Sequence, residues 1–197
     1  MVNVIDNFYE QNNLGLMVIN FLNLHFDATY QSKQISYGGD RTKGYPCYES
    51  KTLTEGDENN PYCPYNMLKQ TFETKTKIKI IKLRTFFRKT KLQELKNSPS
   101  WKQYKQHRDS EESNIAGVVY YNSNSIKDGT YIFNEIGDYE PTAIIGSKYN
   151  RCVFYNPQQP HAPSMDQEVE ERWTQPFFIT YKNENNKSKK YQGQDRG

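Results

Sequence analysis

The sequence predicts a mainly β chain with helices ahead of its strands (α+β overall), the strands closing as a double-stranded β-helix, the jelly roll of cupin-like proteins. Three observations predict it. Beyond residue 76, short apolar and aromatic runs recur at close spacing, each bounded by Gly, Asn, Pro or Asp, and closely spaced short strands indicate a sandwich or barrel. A stretch with helical periodicity precedes them. At 197 residues the chain is long enough for one domain with a core and a deep pocket, and sixteen Tyr with ten Phe supply apolar area that a hydrophobic content of 35% understates.

In order along the chain, residues 2–6 read as a short strand. Phe8 to Phe26 reads as a helix with Leu14, Val18, Phe21 and Leu22 on one stripe, capped by Asp6 or Asn7. Residues 30–66 are rich in Gly, Pro, Asn and Tyr, a long loop that its tyrosines would order over a pocket. Lys77 to Arg84 alternates basic and apolar residues as a half-buried strand does, and 86–96 is a helix or turn stopped by Asn97-Ser98-Pro99. Strands are expected at Ile115–Tyr121, Thr130–Phe133, Thr142–Ile145, Arg151–Tyr155 and Gln175–Tyr181. The expected organisation is one domain over 1–181, with a helical support and long loop in 1–75 and the barrel in about 76–181. A polar tail over 182–197 lacks periodicity and reads as flexible.

Cys47, Cys63 and Cys152 form no C-x-x-C pair; Cys152 lies in an apolar strand, and the other two are expected reduced, with a loop disulfide between them the alternative. No apolar run approaches the roughly 20 residues that span a bilayer, and the first residues lack the pattern of a secretory signal. No membrane partner is expected, and a cytoplasmic location is expected. Net charge is +3, but twelve Lys or Arg lie between Lys75 and Arg108 against the single acid Glu94. That cluster is either a nucleic-acid footprint or the solvated face of an amphipathic segment.

The chemistry-bearing pattern is His107-Arg108-Asp109, then His161 fifty-four positions on, then Arg172. Two imidazoles and a carboxylate on one face of iron(II) leave positions open for oxygen chemistry. A guanidinium beyond the second histidine can grip a carboxylate in bidentate fashion. His107 and Asp109 stand just before the most hydrophobic strand, and His161 follows another through a Pro157–Pro160 turn, so a barrel can bring both strand ends to one mouth. Other readings stand beside these: an Asx-turn role for Asp109, a structural ion pair for Arg172, a core aromatic for Tyr120, packing for Trp101 and Trp173, an ion-pair anchor for Arg151 and plain surface for His25.

The segment 107–181 resembles the prolyl 4-hydroxylase-like branch of the iron(II)/2-oxoglutarate-dependent dioxygenases. The resemblance rests on His107-Arg108-Asp109, Val118-Val119-Tyr120-Tyr121-Asn122 and Asp128-Gly129-Thr130. It continues in Tyr149 to Tyr155 running into Pro160-His161, then Arg172 with Thr174 to Ile179. The chain is also similar to small oxygenases of marine phage genomes, which would place it in a host cytoplasm. The resemblance implies His107, Asp109 and His161 as iron ligands, Arg172 on the distal carboxylate of 2-oxoglutarate, and Tyr120 and Thr174 assisting it. It implies Fe(II), 2-oxoglutarate and O2 as reactants, succinate and CO2 as co-products, and hydroxylation of a C–H bond on a protein or peptide side chain, proline included. A nucleic-acid base or small metabolite is the alternative substrate, and a non-catalytic jelly-roll module binding nucleic acid through 75–108 is the alternative function. Two departures matter. Asp166, Glu168, Glu170 and Glu171 lie close to Arg172 and could compete for it, and Phe178 stands where a nucleic-acid demethylase would carry a second arginine.

Overall fold

The computed structural model describes residues 1–24, 47–93, 106–109, 111–164 and 169–182. The expected residues His25 and Trp101, the loop portion 25–46, the stop at 97–99 and the tail from 183 lie outside them. Among the described residues, two helices and ten strands follow in the order β1 (Val2–Ile5), α1 (Gln11–Asn23), β2 (Tyr48–Glu49), α2 (Pro64–Thr76), β3 (Ile80–Thr85), β4 (Arg88–Lys91), β5 (Ile115–Tyr120), β6 (Ser125–Ile132), β7 (Ala143–Ser147), β8 (Arg151–Tyr155), β9 (His161–Ser164) and β10 (Glu171–Tyr181). Every pairing is antiparallel. A seven-stranded sheet runs β1-β8-β5-β10-β4-β2, with β3 also on β10, and faces a three-stranded sheet β7-β6-β9. The jelly-roll expectation holds.

Strand β5 sits at the centre of the larger sheet and is covered on both faces, which is why Ile115-Ala116-Gly117-Val118-Val119-Tyr120 is a continuous apolar run. Its odd-numbered face joins Phe177 and Ile179 of β10 and Cys152 and Phe154 of β8 in a core roofed by the two helices. The other face contributes Ala116 and Tyr120 to a second, smaller core with Val153, Tyr155 and Ile132, sealed between the two sheets. Cys152 is buried, as expected, and none of the three cysteines is in a disulfide.

The helices differ in detail from the sequence reading. Helix α1 starts at Gln11 rather than Phe8, with Glu10 at the N-cap; Asn7 has φ 51, a left-handed conformation that turns the chain before the helix instead of capping it. Its buried stripe is Leu14, Met17 and Phe21, and Leu22 is 61% exposed, because burial follows i, i+3, i+7 around the axis. Helix α2 begins within the expected loop. Pro64 pre-sets its first turn, and Phe72 meets Phe154 and Phe177 edge-on at 5.2 and 5.6 Å. Lys77 closes it in the left-handed region (φ 62), so the expected strand from Lys77 begins only at Ile80.

Two further corrections concern strands. Residues 88–91, expected within a helix or turn, pair with the start of β10 and with β2; basic residues there read as helix formers, but their partner strands lie far off in sequence. Residues 161–164, where no strand was expected, form β9 and pair with β6, and β10 starts at Glu171, four residues before the expected Gln175.

Asn150 ties the N-terminal segment to the barrel. Held at φ 61, which asparagine tolerates, it exchanges side-chain bonds of 2.8 Å with the backbone of Tyr9 in both directions. Arg151 donates to Asp6 at 2.6 Å and anchors the start of β8, as the sequence suggested. Trp173 packs, stacking on Phe21 at 4.6 Å.

Candidate metal centre

Residues 107 and 161 meet through backbone before their side chains do. The His107 N–H donates to the His161 carbonyl at 2.9 Å and the His161 N–H to the His107 carbonyl at 3.0 Å, a one-rung bridge across fifty-four positions. Asp109 is seated by the turn between β8 and β9: its N–H donates to the Pro157 carbonyl (2.8 Å), and the Gln158 side chain donates to its carbonyl (3.0 Å). The rigid Pro157–Pro160 turn thus places all three residues at one barrel mouth.

The side chains converge. Asp109 Oδ1 lies 3.9 Å from His107 Nε2, and Oδ2 lies 3.5 Å from His161 Nε2. One ligand atom from each residue falls within 4.8 Å of the other two. Donors on neighbouring vertices of a cation with bonds of about 2.1 Å sit about 3 Å apart, so a small rotation of side chains closes this set on a metal. His161 Nδ1 is 2.9 Å from the Gln159 carbonyl. A carbonyl only accepts, so the proton sits on Nδ1 and the lone pair of Nε2 faces Asp109, the outer-sphere arrangement that metal-bound histidines use. Burial lowers the pKa of His161 and keeps the ring neutral. Burial raises the pKa of Asp109, opposed by His161 and by the guanidiniums of Arg88 and Arg84. A buried carboxylate whose pKa burial raises is held in its charged form by a divalent ion at the same donors.

One cavity adjoins this triad, lined among others by Tyr120, Thr130, Arg172 and Thr174. All six residues that the sequence singled out border it. The register explains why: Arg172, Thr174, Pro176 and Phe178 alternate onto the inner face of β10, level with Tyr120 and Val118 on β5. Tyr120 is fully buried with its hydroxyl 2.7 Å from Thr130 Oγ1, and burial pushes its pKa up to about 12, so it is a neutral hydrogen-bonding group. Arg172 is 4% exposed. Its Nη1 donates to the carbonyls of Ser164 (2.6 Å) and Gly129 (3.5 Å) and to Asp128 Oδ1 at 3.1 Å.

Among the described residues the acid on Arg172 is Asp128, a partner that the sequence reading did not name. Of the acids near Arg172 in sequence, Glu171 turns to Lys89 and accepts from the Trp173 indole N–H, and Asp166 and Glu168 lie outside the described residues. Sequence reading also missed Arg88, Thr130, Tyr155 and Gln159. Arg88 lines the cavity while gripping Glu49 at 2.6 and 2.8 Å; its position in a basic run concealed it. Gln159 acts through its backbone, which side-chain chemistry cannot signal. Asp128 stood in the Asp128-Gly129-Thr130 motif, but its inward aim depends on the register slip in β6 and had no signal in the sequence.

No protein-family model matches the chain, and no curated protein matches it in sequence. Its structure is similar to solved ones. A prolyl-4-hydroxylase from Pseudomonas putida superposes with TM-score 0.56 at 10% identity, covering 92% of both chains. An oxidoreductase of the 2OG-Fe(II) oxygenase family from Burkholderia pseudomallei gives 0.58 at 8% identity, covering 91% of this chain and 84% of that one. A Trichoplax adhaerens prolyl hydroxylase, solved with a hypoxia inducible factor peptide fragment, gives 0.52 at 10% identity, covering 91% and 83%. The likeness at this identity is one of fold: the chain shares the architecture of 2-oxoglutarate–iron(II) oxygenases over nearly its whole length.

Proposed function

We propose that the protein is an iron(II)- and 2-oxoglutarate-dependent dioxygenase that hydroxylates a C–H bond of a protein or peptide side chain, proline among the candidates. The observation that carries this is the convergence of His107, Asp109 and His161 at the edge of a cavity that also holds Arg172, Tyr120 and Thr174. That donor set is the two-histidine, one-carboxylate face used by non-haem iron oxygenases. Bound there, iron(II) supplies the dioxygen activation that couples conversion of 2-oxoglutarate to succinate and CO2 with hydroxylation of the substrate.

The chain's own residues hold and shield the reactants. His161 presents Nε2 because Gln159 holds the opposite nitrogen's proton. Arg172 supplies the buried positive charge for a distal carboxylate, and Tyr120 and Thr174, directly opposite each other across the β5–β10 pair, line the same cavity and offer hydroxyls to it. Val118, Tyr155, Pro163, Pro176 and Phe178 wall the cavity with apolar surface, which excludes water from the reacting centre. The peptide fragment in complex with the Trichoplax hydroxylase supports a peptide reading here.

A second reading of the substrate has its own observation. Arg84 is exposed and lies 4.4 Å over the Phe178 ring, which lines the cavity. A cation beside an aromatic face at a site mouth suits a nucleic-acid base with its phosphate. Against a wider footprint, Arg88, Lys89 and Arg108 engage Glu49, Glu171 and Glu135.

The test is an anaerobic titration of the iron(II)-loaded protein with 2-oxoglutarate, read as the weak visible charge-transfer band of the chelate. Oxygen-dependent succinate formation that disappears in His161→Ala is expected; a full succinate yield in that variant overturns the assignment. Nucleic-acid affinity that falls steeply with salt yet survives His161→Ala, without succinate from the parent protein, would favour a binding module.

A further inference from the structure

We infer that Asp128 neutralises the co-substrate arginine, so that this site holds 2-oxo acids without a strong preference for a charged distal group. The inference rests on the reading of Arg172 as the residue that receives that group. Asp128 is fully buried and Arg172 nearly so, with Oδ1 3.1 Å from Nη1. The pair is built rather than incidental. β6 pairs regularly with β7 from Gly129 on, but its register slips between Ser125 and Gly129, and such irregularities re-aim side chains beside active sites. Gly129 has φ 155, and a Cβ there would lie 2.0 Å from the Ile145 carbonyl oxygen. The irregularity turns Asp128, Thr130 and Ile132 inward and leaves Ile126 82% exposed.

Two consequences follow for a ligand. A lone buried guanidinium attracts a second carboxylate strongly because nothing else compensates its charge. Here the compensating carboxylate is already part of the protein, and an incoming dicarboxylate must share the cation with it. Second, Asp128 Oδ2 has no hydrogen-bond partner among the described residues. It is a buried acceptor beside a donor. A distal carboxylate satisfies only the donor, whereas a distal amide, with its carbonyl and NH2, matches both.

The first measurement needs only the parent protein, loaded with zinc(II), which has no redox chemistry. Calorimetric titrations with 2-oxoglutarate and with its 5-methyl ester, the same acid with the distal charge removed, are expected to give affinities within about tenfold of each other, because the two buried charges cancel. Discrimination of about a hundredfold or more in favour of 2-oxoglutarate overturns the inference. The second measurement uses Asp128→Asn. Its thermal midpoint without ligand is expected below the parent's, its upward shift on adding 2-oxoglutarate larger, and its 2-oxoglutarate affinity at least about tenfold tighter. If the variant folds and binds zinc but takes 2-oxoglutarate no more tightly than the parent, the inference fails while the oxygenase reading stands. If neither zinc-loaded protein binds any 2-oxo acid, the oxygenase reading itself fails, and this inference with it.

Discussion

Gln159 and Tyr120 show how much of the site is decided at single atoms. Gln159 contributes a backbone carbonyl, so replacing its side chain leaves the tautomer of His161 intact, and Gln159→Ala is expected to keep metal affinity within a few-fold. His161→Ala removes a proposed ligand and is expected to abolish stoichiometric binding of iron(II) or zinc(II) in a calorimetric titration; retained binding at unit stoichiometry would refute the proposed ligand set. Tyr120 is neutral at any working pH. Tyr120→Phe therefore removes a hydrogen bond rather than a charge, leaving the Thr130 hydroxyl without that partner. A loss of about 0.5–1.5 kcal/mol in stability is expected by chemical denaturation. If Tyr120 also touches the co-substrate, the KM for 2-oxoglutarate rises with it, whereas a core aromatic alone leaves KM unchanged.

Individual elements carry their own constraints. In β6, Gly129 combines a positive φ with the close approach of the Ile145 carbonyl. Gly129→Ala must push β6 from β7, and stability is expected to fall by about 1–3 kcal/mol. The aim of Asp128 should be disturbed with it, visible as a changed 2-oxoglutarate affinity in the folded variant. Helix α2 is held by Phe72, which is fully buried against Phe154 and Phe177. Phe72→Ala is expected to cost about 3–5 kcal/mol in equilibrium unfolding while sparing metal affinity, since its contacts lie on the helix-facing side of the sheet. A fall in zinc affinity comparable to that of His161→Ala would show that the two faces are not separable.

Across the whole molecule, two cores flank one sheet and the site opens into the smaller of them. Acid sensitivity includes a contribution at the other edge of that sheet. Arg151, and then Lys148, hold the pKa of Asp6 down to about 2, below its ordinary 3.8. The folded state therefore binds that proton less readily than the unfolded one. The ion pair's contribution is complete above pH 3.8 and is lost as the pH falls from there through about 2. Asp6 is partly exposed, so the effect is small. Asp6→Asn is expected to lower the thermal midpoint slightly at pH 7 and to leave it less changed at pH 2; an equal gap at both values would exclude the ion pair as the cause.

The strand order of the smaller sheet and the position of β9 could not be read from residues 161–164, because His-Ala-Pro-Ser has neither alternation nor β-branched residues. Its strand character comes from β6 alongside it. The same holds for Arg88–Lys91, where a basic tetrapeptide becomes a strand by pairing with β10. By contrast, Ile115–Tyr120 and Arg151–Tyr155 were legible almost residue for residue, since burial on both faces demands an unbroken apolar run. The six site residues were legible as residue types in an order with spacing, and the barrel gathers them around one cavity. Their partners were not. That Arg172 meets Asp128 across forty-four positions depends on a register slip in β6, and that His161 presents Nε2 depends on a turn. The sequence by itself determined which side chains are able to hold a metal ion and a carboxylate and which strands must be buried, because those follow from residue type and periodicity. Only the tertiary structure decided which charges face one another, because register and turn geometry are set by pairing between distant segments.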